Sequence, residues 1–329
     1  LNKTAFITGI CGQDGPYLAQ FLLEKGYRVL GTTRSLATKN DLGLKYLGIE
    51  KEVEIIELND FSLLNLKQIL TKHQPNEIYN LAAQSSVGES FVKPLETIQE
   101  NVMSVLSWLE AIKLVDHNIS FYQASSSEMY GNVHPENLPI QEGLIFNPAS
   151  PYGISKATAH WLTVNYREAH GLKTGCGILF NHESALRGSN YVIKKVIHQA
   201  ILIEQGIQKT PIRVGNLAIK RDWGYSPKYV QAMWKILQQD QLDDYHICSG
   251  NLTSLNDFVG QIFDQLNIDR EKYLEVDPAL YRPVDLEAIY GDNNKAKQEL
   301  DWKYDMKTTE LIEQLIKDEY HFMEWKARN

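Results

Sequence analysis

Ala5-Phe6-Ile7-Thr8-Gly9-Ile10-Cys11-Gly12-Gln13-Asp14-Gly15-Pro16-Tyr17-Leu18-Ala19-Gln20-Phe21-Leu22-Leu23 decides the fold of this chain. The apolar run at 5–8 reads as a buried strand, and the apolar positions from 17 to 23 recur at helical spacing. Between them Gly9, Gly12 and Gly15 form a G-x-x-G-x-x-G turn that also carries Gln13 and Asp14. Glycines there allow a tight turn and let backbone N–H groups approach a pyrophosphate at the positive end of the following helix. A strand before and a helix after are the context this motif needs, so the stretch predicts a dinucleotide-binding turn.

Working outward, Gly26 ends the first helix and 28–31 begins a second strand. The alternation continues with strands at 53–57, 77–81 and 120–124 and helices at 63–70 and 97–114. Strands separated by helices of this length imply right-handed crossovers, and therefore an α/β, Rossmann-type doubly wound parallel sheet. Beyond Asn181 the rhythm loosens. Helical patterns at 192–204, 227–239, 254–266 and 308–320 have no strand regularly between them, which predicts a smaller mixed α/β C-terminal substrate-binding cap. The expected division is a cofactor domain over 1–180 and a ligand domain over 181–329, with segments around 215–225 as candidates to return to the first.

The 329 residues are 43% hydrophobic and 22% charged, which excludes disordered, collagenous and coiled-coil readings. Lys+Arg 33 against Asp+Glu 41 gives a net charge of −8, against a nucleic-acid binder with a basic surface. An anionic small ligand then requires cations concentrated locally, and Arg34, Arg187, Arg213, Arg221 and Arg282 fall in or beside the segments of interest. Cys11, Cys176 and Cys248 are too few and scattered for a disulfide framework or a metal knuckle. No run approaches the ~20 apolar residues that span a bilayer, and no leader pattern precedes the first strand, so the expectation is a cytoplasmic protein without membrane contact. His182-Glu183 opens an H-E-x-x-H motif, but Leu186 stands at its fifth position, so no metal is expected.

Three further segments carry chemistry. Tyr152 and Lys156, four apart, share one helix face, where the ammonium favours the phenolate that accepts a substrate hydroxyl proton. Tyr191 with Lys195 matches the same short pattern, but only Tyr152 follows Ser150-Pro151 some 25 residues past a strand ending in Ser125-Ser126-Ser127. A Ser126 hydroxyl there can bond the same substrate oxygen. Glu128, two positions on, is either the extra base that removal of a proton α to a new ketone requires or a solvated loop carboxylate. After the second strand, Thr32-Thr33-Arg34 offers no carboxylate for a ribose 2′-hydroxyl; Arg34 is a cation for a 2′-phosphate or a surface arginine, and NADP is expected over NAD.

Taken together, these segments resemble the GDP-mannose 4,6-dehydratases of the extended short-chain dehydrogenase/reductase family. Thr8-Gly9-Ile10-x-Gly12-Gln13-Asp14-Gly15, Glu77-Ile78-Tyr79-Asn80-Leu81-Ala82-Ala83-Gln84-Ser85, Phe121-Tyr122-Gln123-Ala124-Ser125-Ser126-Ser127-Glu128 and Tyr152 with Lys156 carry the likeness. Asn181-His182-Glu183-Ser184, Arg221-Asp222-Trp223-Gly224-Tyr225 and Tyr281-Arg282-Pro283 complete it. The resemblance implies catalysis by Ser126, Glu128, Tyr152 and Lys156. It implies NADP held by Gly9, Gly12, Gln13, Asp14, Gly15, Arg34, Asn59, Asp60, Leu81, Ala82, Ala83, Ser85, Tyr152, Lys156, His182 and Arg187. A GDP-sugar would be held by Ser85, Ser86, Glu128, Asn181, Lys195, Arg221, Arg282 and Asp285, in a homodimer or homotetramer. The chain departs from the family pattern where Ser126 replaces Thr, Leu186 replaces Arg, Arg34-Ser35 replaces paired arginines, Asn59 replaces Asp, Ala218 replaces an acidic residue and Asp285 replaces Glu. Another GDP-hexose or a GDP-heptose as substrate, a nucleotide-sugar ketoreductase or epimerase, and a non-catalytic NADP-binding protein are the alternatives.

Overall fold

The computed structural model describes residues 3–329. Its strands are β1 (Thr4–Thr8), β2 (Arg28–Thr33), β3 (Val53–Glu57), β4 (Glu77–Asn80), β5 (Ser120–Ser126), β6 (Thr174–Leu179), β7 (Asn181–Glu183), β8 (Ile212–Val214), β9 (Lys220–Tyr225), β10 (Asp244–Ile247), β11 (Leu252–Ser254), β12 (Leu274–Val276) and β13 (Ala288–Ile289). Seven of them form one parallel sheet in the order β10-β6-β5-β4-β1-β2-β3.

Alternation along these strands divides the core into two layers. Phe6, Leu30, Ile78 and Phe121 pack with Leu66, Leu70, Trp108, Ile112 and Ala159, from the helices Leu63–His73, Ser104–Val115 and Pro151–His170. Ala5, Ile7, Val29, Tyr79 and Tyr122 pack on the opposite face with Leu18, Leu22, Val230, Met233 and Ile236, from the helices Asp14–Glu24 and Ser226–Leu237. The chain leaves β1 for β2 on one side and comes back to β4 on the other. That reversal opens a crevice beyond the carboxyl ends of β1 and β4, where such sheets bind ligands.

The segment that rejoins the sheet differs from the expected 215–225. β9 belongs to a smaller sheet, parallel to β7 and β13 and antiparallel to β11. The return is made by Ser226–Leu237 and β10, because that helix buries Tyr229, Val230, Met233 and Ile236 against the sheet face. β8 pairs with β12, and Val192–Glu204, Leu255–Gln265 and Thr308–Arg328 close a separate apolar core around Ile197, Phe258 and Ile312.

The single helix expected over 97–114 is instead Pro94–Ile98, a π-helical turn Gln99–Met103, and Ser104–Val115. The turn faces Asn101 inward, where it bonds Gln84 and Ser155. The C-terminal helix runs beyond 320 to Arg328, since Phe322 and Trp325 still have Tyr46 to pack on, with ring centroids 5.1 and 5.5 Å away. No helix among the described residues is long and apolar enough to cross a membrane.

Candidate active site

The crevice is the mouth of a cavity of about 1610 Å³ that runs between the parallel sheet and the cap. One end is built by the glycine turn. Gly9 has φ +72°, and a Cβ on it would meet Ala82 N at 2.8 Å, so only glycine lets the β1 and β4 loops touch. Gly12 N–H bonds the Gly9 carbonyl at 2.9 Å. Thr8 Oγ1 donates to Asn80 Oδ1 at 2.7 Å and accepts from Ala82 N at 3.1 Å, which ties the two loops together. A Cβ on Gly12 would meet only the Gly9 carbonyl, at 3.2 Å. The turn therefore presents backbone N–H groups and open space at a helix N-terminus, a fit for a dinucleotide pyrophosphate.

Gly9, Gly12, Gln13, Asp14, Gly15, Arg34, Asn59, Asp60, Leu81, Ala82, Ala83 and Ser85 all line this half. Several have internal partners. Asp14 Oδ2 lies 2.9 Å from His182 Nε2, and Oδ1 accepts from Ser226 Oγ at 2.7 Å. Burial alone would raise the Asp14 pKa, but the His182 imidazolium and Ser226 hold it down at about 2. Burial would likewise lower His182, yet Asp14 outweighs it and the imidazole is raised. Gln13 bonds the His182 carbonyl at 3.1 Å. These polar groups thus anchor the turn to β7 while facing the cavity. Asp60 holds Ser62, the N-cap of the helix Leu63–His73, by accepting from its N and Oγ at 2.8 and 2.7 Å, and Asn59 bonds Glu57 at 3.2 Å. Arg34 pairs with Glu100 at 3.0 Å, its side chain 81% exposed.

At the middle of the cavity the carboxyl end of β5 meets the start of the helix Pro151–His170. Ser150 caps that helix through Gly153 N at 3.0 Å, and Pro151 occupies its first turn, so the register that points Tyr152 and Lys156 inward is set locally. Lys156 Nζ donates to the Ala124 carbonyl at 2.8 Å and stands 5.8 Å from the Tyr152 ring centroid. Burial pushes Lys156 down to about 8. Burial also raises the Tyr152 phenol, with Ser126 acting in the opposite direction. Ser126 Oγ accepts from Glu128 N at 3.2 Å, fixing the short 3-10 turn that carries Glu128. The Glu128 carboxyl is raised by burial, partly offset by Arg221 and Arg282.

The cap supplies the far wall with Asn181, His182, Arg187, Lys195, Arg221 and Arg282, and Ser86 faces them from the cofactor side. Arg221 is 3% exposed; one guanidinium nitrogen bonds the carbonyls of Lys220 and Leu286 at 2.9 and 2.7 Å, leaving the rest of the fork for a ligand. Lys195 Nζ bonds the Arg213 carbonyl at 2.7 Å. Two expectations do not meet the wall. Asp285 stands behind Arg282, 4.0 Å from its Nε, and does not line the cavity. Arg213 points away to Asp277 at 2.9 Å and is 61% exposed. Ser86 is also the cap of Val87–Val92, accepting from Glu89 N at 3.2 Å.

Residues not singled out by the sequence reading also shape the site. Asn101 bonds Gln84 and Ser155, and Ser155 bonds the Tyr152 carbonyl at 2.7 Å, so a π-helical turn braces the helix Pro151–His170. Nothing in a 3.6-residue periodicity marks that turn. His160, Cys176 and Asp244 gather their ligand atoms within 4.8 Å of one another, but the Asp244 carboxylate already holds both arms of Arg167 at 3.0 and 2.8 Å.

A family model described as GDP-mannose 4,6 dehydratase matches residues 6–315. GDP-mannose 4,6 dehydratase 1 of Arabidopsis thaliana is 39% identical over 330 residues, 97% of this chain and 90% of that protein. Among solved structures, dTDP-glucose 4,6-dehydratase from Bacillus anthracis in complex with NAD superposes with a TM-score of 0.85 at 18% identity, covering 99% of this chain and 100% of that one. RMD from Pseudomonas aeruginosa complexed with NADPH superposes with a TM-score of 0.76 at 22% identity, covering 100% and 99%. At such identities the two structures speak for the fold alone.

Proposed function

This chain belongs to the GDP-mannose 4,6-dehydratase family, and from that premise we propose that it removes water from GDP-mannose to give GDP-4-keto-6-deoxy-mannose, with NADP as its resident cofactor. The observation that supports this most is a half-buried carboxylate, Glu128, on the same wall as the buried Tyr152, Lys156 and Ser126. Simple alcohol–ketone interconversion needs the phenol and the lysine; only elimination needs a further base.

Tyr152 takes the proton of the C4 hydroxyl, with Ser126 bonding the same oxygen and the Lys156 ammonium favouring the phenolate. The turn of Gly9, Gly12 and Gly15 would hold a nicotinamide cofactor, which would supply the acceptor for the C4 hydride and its return to C6. With a carbonyl at C4, the C5 proton is acidic; Glu128 removes it and passes a proton to the C6 hydroxyl, which leaves as water, and when hydride is returned to C6 a proton is added at C5, balancing the one that Tyr152 took from the C4 hydroxyl. Arg221, Arg282 and Lys195 hold the diphosphate, for which the planar arginine fork suits paired charge-assisted bonds.

The preference for NADP rests on Thr33, Arg34 and Ser35 lining the adenosine end with no carboxylate at the end of β2. Assembly as a homodimer or homotetramer is supported by apolar side chains left bare on adjacent helices: Val92 (79% exposed), Leu95 (84%) and Trp161 (57%). Three free cysteines fit a reducing, cytoplasmic setting. The test is product analysis after incubation with GDP-mannose and catalytic NADP. A 4-keto-6-deoxy product with no net change in cofactor is expected; stoichiometric NADPH would overturn elimination in favour of plain oxidation.

A further inference from the structure

Tyr191 is unused by the steps above. It sits on the cavity wall at the start of the helix Val192–Glu204, and its hydroxyl reaches across to Ser85 Oγ at 2.8 Å. The ring is held on more than one side. The Arg187 guanidinium lies 3.8 Å from its centroid, a cation–π contact, and a Cβ on Gly188 would come within 3.3 Å of the ring, so the turn leading into Tyr191 is shaped around it.

A phenol has one proton to donate and two lone pairs, and Ser85 uses one of these three. Either oxygen of the Ser85–Tyr191 pair can be the donor. When Ser85 donates, the Tyr191 proton is free for an acceptor in the cavity; when Tyr191 donates, a lone pair is free for a donor. That versatility suits a sugar hydroxyl, which also both gives and takes. Tyr191 lines the same cavity as Tyr152 and Ser126, and a hexose whose C4 hydroxyl sits at Tyr152 carries its C3 hydroxyl on the adjacent carbon.

We propose that the Tyr191 hydroxyl, seated on Ser85, binds the C3 hydroxyl of the hexose, the neighbour of the C4 hydroxyl, and so selects the sugar. This rests on the dehydratase reading. A site built to bond a substrate hydroxyl rejects the analogue that lacks it, because its own polar group is left unpaired.

The experiment compares wild type with Tyr191→Phe, as holoenzyme, on GDP-mannose, GDP-3-deoxymannose and GDP-2-deoxymannose. The variant is expected to lose about tenfold in kcat/KM on GDP-mannose and on the 2-deoxy sugar, mostly through KM, and less than about twofold on the 3-deoxy sugar. An equal loss on all three would show that the hydroxyl holds the protein rather than the sugar and would overturn the proposal. No loss on GDP-mannose, or relief only on the 2-deoxy sugar, would overturn it too. Wild-type enzyme inert towards GDP-mannose would instead sink the dehydratase reading beneath it.

Discussion

Glu128 and Tyr152 show how burial and charge act on single side chains. A carboxyl raised by burial ionises only at higher pH, so the acid limb of kcat/KM is expected above the ordinary glutamate value of 4.5. Glu128→Gln is expected to abolish product formation while leaving cofactor affinity within about twofold, read by cofactor fluorescence titration; the amide keeps the shape and loses the base. Lys156 has the opposite sign. An ammonium lowered to about 8 loses its proton as pH rises past that value, and with it the field by which the proposed mechanism favours the Tyr152 phenolate. The rate is therefore expected to fall on the alkaline side from about pH 8, and a profile flat to pH 10 would remove Lys156 from that role. Arg34, exposed and paired with Glu100, is the third case. Arg34→Ala should weaken NADP by about 10- to 100-fold, the range of a charge-assisted hydrogen bond, and leave NAD unchanged. Equal effects on the two cofactors would argue for a surface role.

At the scale of elements, the glycine turn is held less by its own residues than by β7 and the helix Ser226–Leu237. His182 from one and Ser226 from the other converge on Asp14, and His182 stacks on Tyr229 with centroids 4.7 Å apart. The signs differ within this pair. Asp14 is depressed from 3.8 to about 2, so its contribution is full above 3.8 and is lost as pH falls towards 2. His182 is raised above 6.5, so its contribution is full below 6.5 and is lost as pH rises through its folded value. The pair therefore stabilises most between about pH 4 and 6.5. Asp14→Asn, which leaves a buried imidazole without its counter-charge, is expected to cost about 3 kcal/mol in denaturant unfolding near pH 6. A loss under about 0.5 kcal/mol would mean that the ion pair is not an anchor.

At the scale of the whole molecule, the helices Val87–Val92, Pro94–Ile98 and Pro151–His170 leave Val92, Leu95 and Trp161 facing water on one side of the sheet. Leu95→Lys is expected to shift the proposed homo-oligomer towards monomer in sedimentation at micromolar concentration, since a charge at the centre of an apolar contact must be desolvated. An unchanged mass would overturn this patch as an interface. The parallel sheet, the glycine turn and the Tyr152–Lys156 pair were legible in the chain because each depends on residues close in sequence: an apolar period, a turn's steric needs, one face of one helix. Three further features were not legible. The return of Ser226–Leu237 and β10 to the sheet, the π-helical turn that aims Asn101, and the Tyr191–Ser85 bond across 106 positions all depend on surfaces that exist only once distant segments have packed. The sequence by itself determined the fold class and the chemical groups available. Tertiary structure decided which groups are spent on one another, as with Asp14 and His182, which stand aside, as with Arg213 and Asp285, and which, like Tyr191, are brought to the cavity, because hydrogen bonds and burial depend on distance in space and not on spacing along the chain.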